Sequence, residues 1–230
     1  MRLLNKLKYN VMEISRHKKL DHFYRLCSEH APILDVGVSQ EKAKVKGREP
    51  PLNTFLKTFR YGSSNYTGLG VEDLSGMGKL YPGKRFVQYS GGIFPFKERE
   101  FEWVFSNAVI EHVGDDDAQV EFLNEMMRVG RYVFFTTPWK YFPIESHTNV
   151  LFLHWNNRLF YSWCRKNKPF WTKRNLYLFS ARRLDSILKR SNAKSYKVYK
   201  NRMLGITMTF TVVCSQRQDD GGRIDDLHSP

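Results

Sequence analysis

The chain has 230 residues, a formal net charge of +14 and three cysteines, a size that suits one domain able to bury a single good core. Cys27, Cys164 and Cys214 are widely spaced and odd in number, which fits neither a disulfide framework nor a zinc cluster and suits a reducing cytoplasm. No run of eighteen apolar residues occurs and the amino terminus lacks the apolar core of a signal peptide, so neither a membrane-spanning nor an exported chain is expected. The charge favours anionic partners, among them nucleic acid, phospholipid head groups and phosphorylated glycans, without choosing between them. No helix-turn-helix, zinc-finger or RNP-type signature accompanies it, which leaves nucleic acid without a recognition element.

Residues 1–29 read as a helical segment ahead of a domain spanning 30–215. Leu3, Leu4, Leu7, Val11 and Ile14, then Leu20, Phe23, Tyr24 and Cys27, recur at three- and four-residue spacing, with Arg2, Lys6, Lys8, Arg16, Lys18 and Lys19 on the other face. Packing on a sheet with a solvated basic face is the favoured reading. The same pattern would let the helix lie on an acidic membrane surface, with a cytoplasmic protein held peripherally at the inner face of the membrane. Residues 32–38 form the first strand and end in Asp35-Val36-Gly37, where a glycine permits a turn that a β-carbon would obstruct. A polar loop over 41–51 precedes a short helix over 52–60. A second strand over 66–71 is followed by Glu72 and Asp73. After a loop over 76–84, a third strand over 85–89 runs into Ser90-Gly91-Gly92.

Phe94 opens the most informative stretch, residues 94–113. A Pro-Phe turn and a charged bend lead into an apolar run over 101–105 that suits a buried strand, and the short residues Ser106, Asn107 and Ala108 follow where such a strand would open onto a ligand crevice. A helix over 117–129 is expected next, capped by Asp116 or Asp117. Phe122, Met126 and Val129 would be inward, with Leu123 and Met127 beside them, and Arg128 and Gly130 at its close. Residues 132–137 make a fifth strand. Residues 139–179 are crowded with aromatics and carry Glu145, His147 and His154, which read either as packing residues or as groups able to deprotonate a hydroxyl. No metal site is expected from Glu145, His147 and His154, which have no fixed helical spacing and no cysteine nearby. Residues 165–174 are basic around Phe170 and Trp171, a stretch for a phosphate or for water. A helix over 180–192 capped by Ser180, an antiparallel pair over 193–200 and 207–215, and a disordered tail over 216–230 complete the chain.

Residues 94–113 resemble the fourth-strand segment of class I S-adenosylmethionine-dependent methyltransferases of the type 11-like kind, and Asp35-Val36-Gly37 is similar to the opening of that family's glycine motif. The combination of Asp35-Val36-Gly37-Val38, Glu72-Asp73, Ser90-Gly91 and the Pro-Ile-Glu, His-Thr and His-Trp groups of 143–155 is similar to a bacterial subset associated with surface-polysaccharide biosynthesis. The resemblance implies a Rossmann-like α/β fold, with a seven-stranded, mostly parallel sheet, helices on both faces and an acceptor-side insertion after the fifth strand. It implies S-adenosylmethionine as cofactor, held by Asp35, Gly37, Val38, Glu72, Asp73, Ser90, Gly91, Ser106 and Asn107. Glu72 with Asp73 second is expected at the ribose, because Gly70 occupies the commonest position of the family's acid; two carboxylate oxygens suit two hydroxyl donors. Val38, Ser39 and Gln40 stand where most members have a further glycine. The implied activity is methyl transfer to a sugar or glycan hydroxyl, with RNA, or a non-catalytic binding scaffold, as the alternatives. His147 is the first candidate for the base, with Glu145 to orient it, ahead of His154 and His112.

Overall fold

The computed structural model describes residues 2–40, 53–203 and 205–217, with side chains from Met12 onward. Parallel strands β1 (Ile33–Val36), β2 (Tyr66–Gly70), β3 (Arg85–Gln88), β4 (Phe101–Asn107) and β5 (Gly130–Pro138) are joined by a hairpin of β6 (Ser195–Met203) and β7 (Ile206–Ser215). They form one seven-stranded sheet in the order β3-β2-β1-β4-β5-β7-β6, with β7 antiparallel to both its neighbours. The chain runs outward from β1 to β3, then returns to place β4 on the other side of β1. That reversal leaves a crevice at the carboxyl ends of β1 and β4, the usual ligand position in open α/β sheets.

Period-two alternation explains the two-sided core. Tyr132 and Phe134 face one layer and Val133 and Phe135 the other. On the first side pack α1 (Arg2–Leu26) and the short α2 (Thr54–Lys57), through Leu20, Phe23, Phe55 and Leu56. On the second pack α4 (Asp116–Val129) and α6 (Ala181–Arg190), through Phe122, Met126, Leu184 and Ile187. A four-residue α3 (Met77–Leu80) lies where only loop was expected.

Several local expectations are corrected. Asp115, not Asp116 or Asp117, caps α4, accepting from the Ala118 N–H at 3.2 Å. Gly130 follows α4 in extended conformation, so its role is not a left-handed cap: a β-carbon there would lie 2.4 Å from Val104 Cγ2, against which the helix end is pressed. Arg128 donates to the carbonyls of Phe94 and Phe96, both at 2.9 Å, and so fixes the Pro-Phe turn ahead of β4. In α1, Ile14 is 48 % exposed and Lys19 only 5 %, the reverse of the expected faces. Ser180 caps α6 through the Arg183 N–H at 3.2 Å. The loop expected over 41–51, and all but two residues of the tail expected over 216–230, lie outside the described residues.

The aromatic excursion leaves and rejoins the sheet at adjacent points, because Trp139 bridges Phe179 and the Lys140 N–H donates to the Phe179 carbonyl at 2.8 Å. Between them, α5 (Asn157–Asn167) closes a small core of Phe160, Cys164 and Leu176. Among the described residues no helix is long and apolar enough to cross a membrane.

Candidate active site

A cavity of about 1530 Å³ occupies the crevice and extends under the excursion. At its sheet end the backbone turns sharply after β1. Gly37 has φ +102°, and a β-carbon on it would sit 2.3 Å from Val109 Cγ2. The Gly37 and Val38 N–H groups both donate to the Leu69 carbonyl, at 2.9 and 3.0 Å, which draws the loop toward β2. Gly70 is held to glycine by the same loop: its β-carbon would lie 2.0 Å from the Val38 carbonyl oxygen. A carboxylate at position 70 is therefore sterically excluded. Glu72, two residues on, lines the cavity instead, one oxygen accepting from the Gln40 N–H at 2.9 Å. In place of a second glycine, Asn53 holds the loop, accepting from the Ser39 N–H at 3.0 Å and donating to the Ser39 carbonyl at 2.7 Å.

Asp35 is 7 % exposed and accepts from the Tyr66 hydroxyl at 2.5 Å. Burial pushes its carboxyl up to about 7, with the Tyr66 hydrogen bond working against the shift. Across the crevice, Asn107 Oδ1 accepts from Lys19 Nζ at 2.8 Å and from the Thr136 hydroxyl at 2.7 Å. Burial, helped by the charge of Arg16 and opposed by Glu111, brings the Lys19 amine down to about 7. A residue expected on a solvated face thus closes the cavity floor.

Asp35, Gly37, Val38, Glu72, Gly91 and Asn107 line the cavity; Asp73, Ser90 and Ser106 do not. Each exception has a local cause. Asp73 turns away to accept from the Ser75 N–H at 2.9 Å. Ser90 is exposed beyond β3, and Tyr89 faces the cavity in its place. Strand β4 continues two residues further than expected, so alternation points Phe105 and Asn107 into the cavity and Ser106 into the protein.

At the other end stands a group of acids and imidazoles. Glu145 is 4 % exposed and accepts from the Thr148 N–H and hydroxyl, both at 2.6 Å, and from His147 Nδ1 at 2.7 Å. Burial works against its charge, but the hydrogen bonds from His147 and Thr148 prevail and hold the carboxyl down at about 2. His147 Nε2 faces His112 Nε2 at 3.1 Å, and His112 Nδ1 donates to the Asn175 carbonyl at 2.8 Å. Trp171 covers both rings, at centroid distances of 4.9 and 5.6 Å. His154 lines the same cavity but is 1 % exposed, with Nε2 donating to the Phe142 carbonyl at 2.8 Å; burial lowers its pKa. That places His154 as a clamp on the Phe142 turn. Glu111, Lys19, Asn53 and Tyr66 are site residues that the sequence reading missed.

No protein-family model and no curated protein matches the chain. Solved structures do. A methyltransferase of Methanosarcina mazei aligns with 84 % of this chain and 96 % of its own at 14 % identity and a TM-score of 0.54. The YcgJ protein of Bacillus subtilis aligns with 87 % of this chain and 99 % of its own, at 12 % identity and 0.54. The 1,6-didemethyltoxoflavin-N1-methyltransferase of Burkholderia thailandensis, solved with 1,6-didemethyltoxoflavin and S-adenosylhomocysteine bound, aligns with 90 % of this chain and 79 % of its own at 14 % identity and 0.54. The seven-stranded sheet described above is thus the class I methyltransferase fold.

Proposed function

We propose that the protein transfers the methyl group of S-adenosylmethionine to a hydroxyl of a sugar or glycan acceptor of the kind used in surface-polysaccharide synthesis. The observation that carries this reading is one continuous cavity with a glycine-turned, carboxylate-lined pocket at the sheet end and an aromatic cover with facing histidines at the other. The sheet end fits the donor: the left-handed Gly37 leaves backbone exposed where a side chain would fill the space, and Asp35 and Glu72 offer acceptors for an amino group and for hydroxyls. Asp35, Gly37, Val38, Glu72, Gly91 and Asn107 would hold it. When bound, it supplies a methyl group already activated by a sulfonium. What the chain itself must do is position an oxygen, exclude water and deal with the oxygen's proton.

Trp139 and Phe142, which line the cavity, offer flat apolar faces to a sugar ring. Glu145 and the Asn175 carbonyl fix the ring orientations of His147 and His112, so a hydroxyl seated against this pair gives up its proton there. For a lipid-linked acceptor, the basic residues at the amino terminus would meet the anionic inner face of the membrane. The His147→Ala variant should keep its affinity for S-adenosylhomocysteine while turnover falls at least tenfold; equal loss of both would make His147 a structural residue. The acceptor class is tested with labelled methyl donor offered a bacterial glycolipid fraction and, separately, total RNA. Label in the glycolipid is expected, and label in RNA alone would overturn the assignment.

A further inference from the structure

We infer that Glu111, His112 and His147 bind one divalent cation of the zinc type at the acceptor end of the cavity, its open coordination position facing the acceptor oxygen. Only that last ligand rests on the methyl-transfer reading; the protein ligands stand on their own geometry. His112 Nδ1 faces the Asn175 carbonyl at 2.8 Å, and His147 Nδ1 faces the Glu145 carboxylate at 2.7 Å, nearer than the Ser146 hydroxyl at 3.2 Å. With Nδ1 of each ring donating to its oxygen, Nε2 is the atom each ring can offer to an ion. The two Nε2 atoms lie 3.1 Å apart, lone pair toward lone pair. A cation seated against both nitrogens would take a lone pair from each.

Glu111 distinguishes a cation from a shared proton. It is 2 % exposed; its Oε2 accepts from the Thr137 hydroxyl at 3.1 Å, while Oε1 has no hydrogen-bond partner. Lys19, the nearby amine, is directed at Asn107 and leaves Oε1 unbonded. A proton held between the rings would leave that buried oxygen unpaired, whereas a cation draws on all three groups. A ligand atom from each of Glu111, His112 and His147 lies within 4.8 Å of the others. Two imidazoles on a tetrahedral zinc ion, bonded at about 2.0–2.1 Å, stand about 3.3 Å apart, close to the observed separation.

Each ligand also has the outer partner expected around a metal: Glu145 behind His147, the Asn175 carbonyl behind His112 and Thr137 behind Glu111. This ligand set differs from Glu145, His147 and His154, the residues weighed for a metal in the sequence. Glu145 stands behind a ligand, and His154 is committed to the Phe142 carbonyl. Two imidazoles and one carboxylate with an open position suit zinc or a neighbouring first-row ion. With such an ion in place, a hydroxyl bound to it would be acidified as bound water is; the two rings would then hold the ion, and the proton-accepting role given to them above would pass to solvent.

The test strips the full chain with a chelator, then titrates it calorimetrically with Zn²⁺ and follows Co²⁺ by absorption. One ion per chain, bound at micromolar concentration or tighter, is expected. His112→Ala and His147→Ala should each weaken binding at least a hundredfold, and Glu145→Gln by about ten- to a hundredfold, with cooperative thermal unfolding retained. Absence of saturable binding, or binding unchanged in both histidine variants, would overturn the proposal. If the histidine variants do not fold, the Co²⁺ form of the parent decides: visible bands without a near-ultraviolet sulfur charge-transfer band support the site, and no visible bands refute it. Binding is read without donor or acceptor. A bound ion with no methyl transfer would therefore leave the metal site standing and overturn only the catalytic reading.

Discussion

Burial of the Asp35 carboxyl beside the Tyr66 hydroxyl ties the stability of the ligand-free protein to pH. Its folded pKa is raised from 3.8 to about 7, so between those values the folded state keeps a proton that the unfolded state has lost. Stability from this group is present at the acid end and declines as pH rises through that window; above about 7 a buried carboxylate remains, at a penalty on the order of a few kcal/mol. An amide in its place does not titrate. Asp35→Asn should therefore raise the thermal midpoint of the ligand-free protein at pH 8 by several degrees, with most of the gain gone by pH 4.5; an equal difference at both pH values would contradict the burial argument. Gly37 makes the complementary prediction. With φ +102° and a would-be β-carbon 2.3 Å from Val109 Cγ2, Gly37→Ala should displace the loop and weaken S-adenosylhomocysteine at least tenfold, read by calorimetry.

Helix α1 is as much a part of the core and the site as any strand. Phe23 is fully buried, with ring centroids 5.1–5.6 Å from those of Phe55, Trp103, Phe105 and Phe134, and Lys19 one turn earlier reaches Asn107. Phe23→Ala should cost about 3–5 kcal/mol in denaturant unfolding, the range for a large core aromatic; a loss below about 1 kcal/mol would mean that α1 is only loosely docked. Strand β4 and helices α4 and α6 are legible in the sequence because their signals are local: an aromatic run, a stripe at helical spacing, the Ser180 cap. The faces of α1 are not. Its basic residues look alike in sequence, and only a polar partner 88 residues away turns Lys19 inward while Ile14 is left outside.

At the scale of the molecule, the sheet order and the excursion join two half-sites that are separate in the chain. Asp35 meets Tyr66 across 31 residues, and His112 meets His147 across 35. The residue types of the site were therefore readable, but their pairing was not: Glu145 behind His147 is a short-range relation visible in the sequence, while His112 against His147 exists only once the excursion folds back over β4. Ser106 shows the same limit from the other side, since a strand two residues longer than its apolar run reverses which neighbour faces the ligand. The central claim is that this joined cavity receives a methyl donor at its sheet end. Calorimetric titration of the parent protein with S-adenosylmethionine and S-adenosylhomocysteine tests it most directly. One-to-one binding of both at micromolar concentration, weakened by Gly37→Ala, is the predicted result, and failure of both ligands to bind at millimolar concentration would contradict it.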